Sequence, residues 1–179
     1  MAAEYFCGEM KIVVGTYGGL LYGYTLNDKK MKLTFGYTAH ASCIKSVAFI
    51  QDSPILLSGG ADEIIKIYNV AKRVEVGNLL QHTGPVLCLE PFGKTHVLSG
   101  SADHTVCIWR TSDWNCVHIL GGHKEPVLDI AVHPTGKLAL SVSKDKTLRM
   151  WNLIKGRCAF IKRLTQEATN VFWNHDGSR

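Results

Sequence analysis

Serine, histidine and aspartate are the parts of a hydrolase triad, in which the imidazole takes the hydroxyl proton and the carboxylate orients the imidazole. The 179-residue sequence carries these three types at a fixed spacing, and it does so three times. The sets are His40, Ser58 and Asp62; His82, Ser99 and Asp103; and His123, Ser141 and Asp145. Each histidine precedes its serine by 18, 17 and 18 residues, and successive aspartates lie 41 and 42 residues apart. Six residues beyond each aspartate comes an aromatic followed by a polar residue: Tyr68-Asn69, Trp109-Arg110 and Trp151-Asn152. Nucleophilic catalysis needs one exposed, activated serine. Three equivalent sets read as scaffold, and no G-x-S-x-G nucleophile elbow accompanies them. The chain is therefore expected not to be an enzyme, with no catalytic residue to assign.

The same logic limits metal and cofactor chemistry. His104, His118 and His133 have no neighbouring carboxylate or cysteine that completes a ligand set, and the six cysteines contain no C-x-x-C pair. Neither a metal nor a cofactor is expected. Gly15-Thr16-Tyr17-Gly18-Gly19 has glycines enough for a phosphate loop, but it sits where a repeat would turn.

The elements that must position the markers are short and β-rich. Ile64-Ile65-Lys66-Ile67-Tyr68 and Thr105-Val106-Cys107-Ile108-Trp109 alternate so that every second residue can face one side of a sheet. Turn signals such as Gln51-Asp52-Ser53-Pro54 and His133-Pro134-Thr135-Gly136 separate such runs. Each period of about 40 to 45 residues supplies four antiparallel strands, the signature of a propeller blade. The repeats are placed at 38–79, 80–120 and 121–163, after a degenerate repeat at 10–37 with Gly18 in the aspartate position and Tyr24 in the aromatic position. Ala168 to Trp173 reads as the inner strand of a further blade and Asn174 to Arg179 as its turn, so that 164–179 begins another repeat.

Composition agrees with a folded body: 46% of residues are apolar and 20% charged. No apolar run approaches the ~18 residues of a membrane span, so no membrane partner is expected. Met1-Ala2-Ala3-Glu4 lacks the basic start and apolar stretch of a secretory signal, which predicts a cytosolic or nuclear protein with its cysteines as thiols. The net charge of +5 is uneven. Residues 1–136 carry 11 Lys and Arg against 12 Asp and Glu, whereas residues 137–179 carry 9 against 3.

With the markers in register, the sequence resembles the WD-repeat β-propeller family across essentially its whole length, although Gly-His occurs only at Gly122-His123 among the three markers and a literal Trp-Asp nowhere. The fold class implied is all-β: an incomplete WD-repeat propeller of three full blades and two partial ones, out of an expected seven. Half a ring reads as part of a longer propeller or as a truncated product, with apolar blade faces left uncovered. The resemblance also implies that histidine, serine, aspartate and tryptophan form one hydrogen-bond network inside each blade. The network is complete in His82, Ser99, Asp103, Trp109 and in His123, Ser141, Asp145, Trp151, and altered in His40, Ser58, Asp62, Tyr68. Such a network ties loop to strand to turn, so Asp103→Ala is expected to destabilise the fold more than Asp113→Ala.

Within the family, the run from Pro134 through Trp151-Asn152 to Lys162 is similar to the p21-activated-kinase-interacting subgroup. That resemblance implies a non-enzymatic scaffold for large ribosomal subunit assembly and rRNA processing, which also binds and restrains p21-activated kinase. Its implied partners are proteins, namely pre-ribosomal assembly factors and the kinase, with RNA met indirectly and no small-molecule substrate. Its implied location is the nucleus and nucleolus, with the cytoplasm an alternative for so short a chain. By position, Ser42, His104, Lys124, Glu125 and Lys144 are the candidates for partner contact, because propellers bind through turn tips and strand starts. Trp114 lies in a loop outside the networks, as a binding anchor or packed under an outer strand. Two alternatives stand beside the scaffold. One is direct RNA contact through Lys144, Lys146, Arg149, Lys155, Arg157, Lys162 and Arg163. The other is a substrate receptor of a ubiquitin ligase, for which the arginine of a Trp-Asp-x-Arg sequence is missing.

Overall fold

The computed structural model describes residues 2–6, 9–27 and 30–174. Among them, sixteen β-strands and no helix form four antiparallel sheets of four consecutive strands each. The first sheet contains β1 (Ala2–Phe6), β2 (Glu9–Gly15), β3 (Leu20–Asn27) and β4 (Lys30–Thr38). The second contains β5 (Ile44–Phe49), β6 (Ile55–Gly60), β7 (Ile65–Asn69) and β8 (Val74–Leu79). The third contains β9 (Val86–Phe92), β10 (His96–Ser101), β11 (Val106–Arg110) and β12 (Cys116–Leu120). The fourth contains β13 (Val127–Val132), β14 (Leu138–Ser143), β15 (Thr147–Asn152) and β16 (Arg157–Arg163).

The sheets stack face to face, and the second strand of each shows why. Side chains alternate across a strand, so neighbours enter different layers. Leu56 of β6 joins the core shared with Val13 and Leu21 of the first sheet, whereas Leu57 joins the core shared with Val97 and Trp109 of the third. One step on, Val97 of β10 faces back to the second sheet while Leu98 packs with Ala139 and Trp151 of the fourth. Strands β6 and β10 are thus almost wholly buried, whereas β8 and β16 are mostly exposed. Each sheet is a blade, and the blades form an arc of a WD-repeat propeller.

The degenerate repeat is a four-stranded blade once Ala2–Phe6, upstream of residue 10, is included. Gly18 falls in its β2–β3 turn and Tyr24 on its third strand, the places their spacing gives. At the other end, Ala168 to Trp173 is not a strand. A β-ladder needs a neighbour, and no second strand of that blade lies among the described residues. The segment nevertheless occupies the place of an inner strand. Val171 N donates to Asp129 Oδ2 at 2.9 Å, as Leu89 N on β9 donates to Ser46 Oγ at 3.1 Å one blade interface earlier. Trp173 donates to the Ala131 carbonyl at 3.1 Å and stands edge-on to His133. Val171 and Trp173 thereby cover part of the outer face of the fourth blade, while Phe172 stays 81% exposed. Of the turn expected at the end, residues 175–179 lie outside the described residues.

Candidate functional site

The repeated polar sets are built by topology. In the third blade His82 lies in the loop entering β9, Ser99 on β10, Asp103 in the β10–β11 turn and Trp109 on β11. Antiparallel pairing sets Trp109 opposite Val97, diagonal to Ser99 on the same face, and Trp109 Nε1 donates to Ser99 Oγ at 2.8 Å. Ser99 Oγ lies 2.7 Å from His82 Nε2, and His82 Nδ1 lies 2.8 Å from Asp103 Oδ2. Asp103 is completed by Thr83 N at 3.0 Å and by Thr105 through both its amide and its hydroxyl. The fourth blade repeats the chain, with Trp151 Nε1 to Ser141 Oγ at 2.8 Å, Ser141 Oγ to His123 Nε2 at 2.7 Å and His123 Nδ1 to Asp145 Oδ2 at 3.0 Å.

The carboxylate can only accept, so Nδ1–H donates to it; in the neutral imidazole Nε2 is then an acceptor for the serine O–H, whose oxygen accepts from the indole. Burial, opposed by the Asp145 carboxylate, holds His123 below its ordinary pKa, in keeping with that tautomer. Burial pushes Asp103 and Asp145 upward, but the hydrogen bonds from the following threonine, the histidine and a backbone amide outweigh it and hold both carboxyls below the usual range.

In the second blade His40 still bridges Ser58 Oγ at 2.7 Å and Asp62 Oδ1 at 2.8 Å. Tyr68 does not reproduce the indole's bond: its buried hydroxyl lies near Ser58 without completing a hydrogen bond to it, and its ring stacks on Tyr37 at 5.6 Å. All three serines are wholly buried. A wholly buried Oγ has no access to an electrophile, so its bond to the imidazole fastens strand to loop rather than activating a nucleophile.

The surface candidates scatter. Ser42, Lys124, Glu125 and Lys144 are exposed and His104 is half-buried. Ser42 stands at the head of β5, remote in sequence from the fourth blade. Lys124 alone of the five lines a concavity of about 360 Å³, together with Lys146, Arg149 and Arg163. Trp114 is not an exposed anchor; it packs against the core between the second and third blades, in a left-handed turn position with φ 57°. The late basic residues divide between the two ends of the fourth blade: Lys146, Arg149 and Arg163 lie near the Asp145 turn, and Lys155 and Arg157 at the β15–β16 turn. Comparing equivalent positions repeat by repeat would have found the concavity's cations, since only the fourth repeat is basic at all of them.

The chain is similar to the p21-activated protein kinase-interacting protein 1-like of Gallus gallus, at 43% identity over 95% of this chain and 46% of that protein. It is 38% identical to the p21-activated protein kinase-interacting protein 1 of Homo sapiens, over 95% of this chain and 45% of that protein, and 33% identical to Protein MAK11 of Saccharomyces cerevisiae, over 90% and 45%. The chain spans about half the length of the curated relatives it matches. The description "WD domain, G-beta repeat" matches residues 31–69, 73–110 and 114–152, each match running from an outer strand through the next blade's histidine, serine, aspartate and aromatic. On those three matches, which take in more than half of its residues, the chain belongs to the WD domain, G-beta repeat family.

Proposed function

We propose that the chain is a non-enzymatic protein-interaction scaffold of large ribosomal subunit assembly, acting in rRNA processing in the nucleus and nucleolus, and that it also binds and restrains a p21-activated kinase. The observation that carries the non-enzymatic part is the burial of all three serine–histidine–aspartate sets as interior fasteners, which leaves the chain rigid loops rather than a reacting centre. The kinase part is supported by the names of the similar proteins, kinase-interacting in vertebrates and "Shk1 kinase-binding protein 15" in Schizosaccharomyces pombe. The assembly part rests on the resemblance of Pro134 to Lys162 to that subgroup.

Two readouts on one tagged chain test both parts: sedimentation with large-subunit precursor particles and capture of the kinase from the same extract. Enrichment of both is expected. A monodisperse chain that enriches neither would end the proposal. Direct RNA binding is the weaker reading, because Lys155 and Arg157 sit at the opposite end of the blade from Lys146 and Arg163 and give no continuous basic track.

A further inference from the structure

The three repeats serve as controls for one another. At the residue after the histidine they carry Ala41, Thr83 and Lys124; after the aspartate, Glu63, His104 and Lys146. Four residues beyond the aspartate they carry Lys66, Cys107 and Arg149. Opposite the turn, where Arg163 pairs with Thr147, the register continues to Leu80 and Gly121 in the earlier blades. Only the fourth blade is cationic at all four places. In the second blade the one cation, Lys66, is already paired with Glu75 at 3.0 Å.

These four cations surround the concavity of about 360 Å³, and no salt bridge engages any of them among the described residues. The one carboxylate in the wall, Asp145, is committed to His123, Thr147 and the Lys124 amide. Arg149 is held in place from two sides. Its guanidinium stands 6.0 Å from the Trp151 ring centroid, and Nε is buried without a hydrogen-bond partner. A Cβ on Gly122 would come within 2.5 Å of Arg149 Nη1, so the glycine, at φ 145°, leaves the space the guanidinium fills. The scaffold residues recur in every repeat, but this arrangement does not, so folding alone does not call for it.

Four cations against one carboxylate around a single concavity call for a compact, highly charged anion. A phosphorylated side chain brings about −1.5 to −2 charges and three acceptor oxygens to one point, and Arg clusters are the usual recognition mode. A nucleic-acid strand would ask for a groove and stacking rings, and the concavity has no aromatic residue in its wall. The geometry points to a site for a phosphoserine- or phosphothreonine-bearing protein segment at the turn-side rim of the fourth blade, with Arg149 and Arg163 as the bidentate donors and Lys124 and Lys146 as the flanking charges. It deepens the scaffold reading by giving the chemistry of one bound partner.

The test is fluorescence anisotropy on the complete chain at physiological salt. The probes are a degenerate 13-residue peptide pool with a fixed central phosphothreonine, the same pool with plain threonine, and a 12-nucleotide single-stranded RNA. The phosphorylated pool is expected to bind at least tenfold tighter than the plain pool. The K146Q/R163Q double variant, both positions exposed, should lose at least tenfold with an unchanged thermal midpoint, whereas the K144Q/K155Q double variant, equal in charge change but outside the concavity, should lose less than twofold. Equal binding of the two pools, full affinity in the double variant, or RNA bound more tightly than phosphopeptide would each overturn the site. The scaffold proposal fails on a different readout, the absence of particle and kinase enrichment, so the two can fall separately.

Discussion

The third and fourth blades are built alike and finished differently. Both run tryptophan to serine to histidine to aspartate with matching distances, 2.8, 2.7 and 2.8 Å in one and 2.8, 2.7 and 3.0 Å in the other. Around that shared interior, the third blade sets Thr83, His104 and Cys107 where the fourth sets Lys124, Lys146 and Arg149. What recurs is therefore the part that holds a blade together, and what differs is the part free to be chosen for a partner. The triad-like residues, which look most chemical in the sequence, do the structural task; the unremarkable lysines and arginines carry the surface specialisation.

Removing the indole strikes the shared interior hardest. Trp109→Ala and Trp151→Ala each open a cavity between two blades and leave a buried serine one donor short, a loss of about 3–5 kcal/mol measured by urea denaturation. Losses differing by more than about 2 kcal/mol would break the equivalence of the two blades.

Next come the carboxylates. Asp103→Ala and Asp145→Ala leave an imidazole, a threonine hydroxyl and backbone amides unsatisfied, at a cost of about 2–4 kcal/mol from ~1–3 per buried group. Asp113, whose carboxyl is drawn to about 2 by its exposed pair with Arg110, is the control, and Asp113→Ala should leave the midpoint unchanged. Acid should reach the same groups. Folding holds His123 below 6.5, so its contribution is full above that value and is lost as pH falls below it. The depressed Asp103 and Asp145 carboxyls contribute fully above 3.8 and are lost as pH falls further. With Glu90, which titrates in the opposite sense over the same range, replaced by Gln, thermal midpoints should therefore drop in two stages on acidification, and His123→Gln should remove the first.

A smaller effect lies on the seam between the two blades. Burial, with the nearby Asp129 carboxylate adding to it and the Val132 amide opposing it, raises Glu90 on β9 to about 7. Its protonated form is the one the fold favours, so stability falls as pH rises from 4.5 through 7. Glu90→Gln should stabilise the fold at pH 8, by about 1–3 kcal/mol, and leave its stability unchanged at pH 4, as measured by pH-resolved calorimetry.

How much of this could be read in advance depends on whether the signal was local. His82, Ser99, Asp103 and Trp109 were legible because a repeat period converts spacing into position; the alternation of β7 and β11 did not give the burial, since neighbouring blades cover both faces of these strands. Ala2–Phe6 was missed because it lies upstream of any marker, and its pairing with β2 is what makes it a strand. Ala168 to Trp173 was overread for the converse reason: its composition suits a strand, but ladder bonds require a partner. The basic concavity was half visible. Lys146, Arg149 and Arg163 stood out as charge, but their convergence with Lys124 needs the Thr147–Arg163 register and the space left at Gly122.

The second blade sharpens the comparison from the other side, with the smallest effect and a reversed sign. Tyr68 occupies the tryptophan position, yet its buried hydroxyl completes no hydrogen bond with the nearby Ser58, while its ring packs on Tyr37 and in the core with Leu56. A buried hydroxyl without a partner costs free energy that a hydrogen does not. Tyr68→Phe keeps the ring and removes that group, so the urea midpoint should rise, by about 0.5–1 kcal/mol. Trp109→Phe should lower it, because there the polar atom is the donor to Ser99. If both substitutions moved stability the same way, ring size would be setting the outcome and the indole hydrogen bond would not; opposite signs would show that the altered blade is held by stacking where its neighbours are held by the chain of hydrogen bonds.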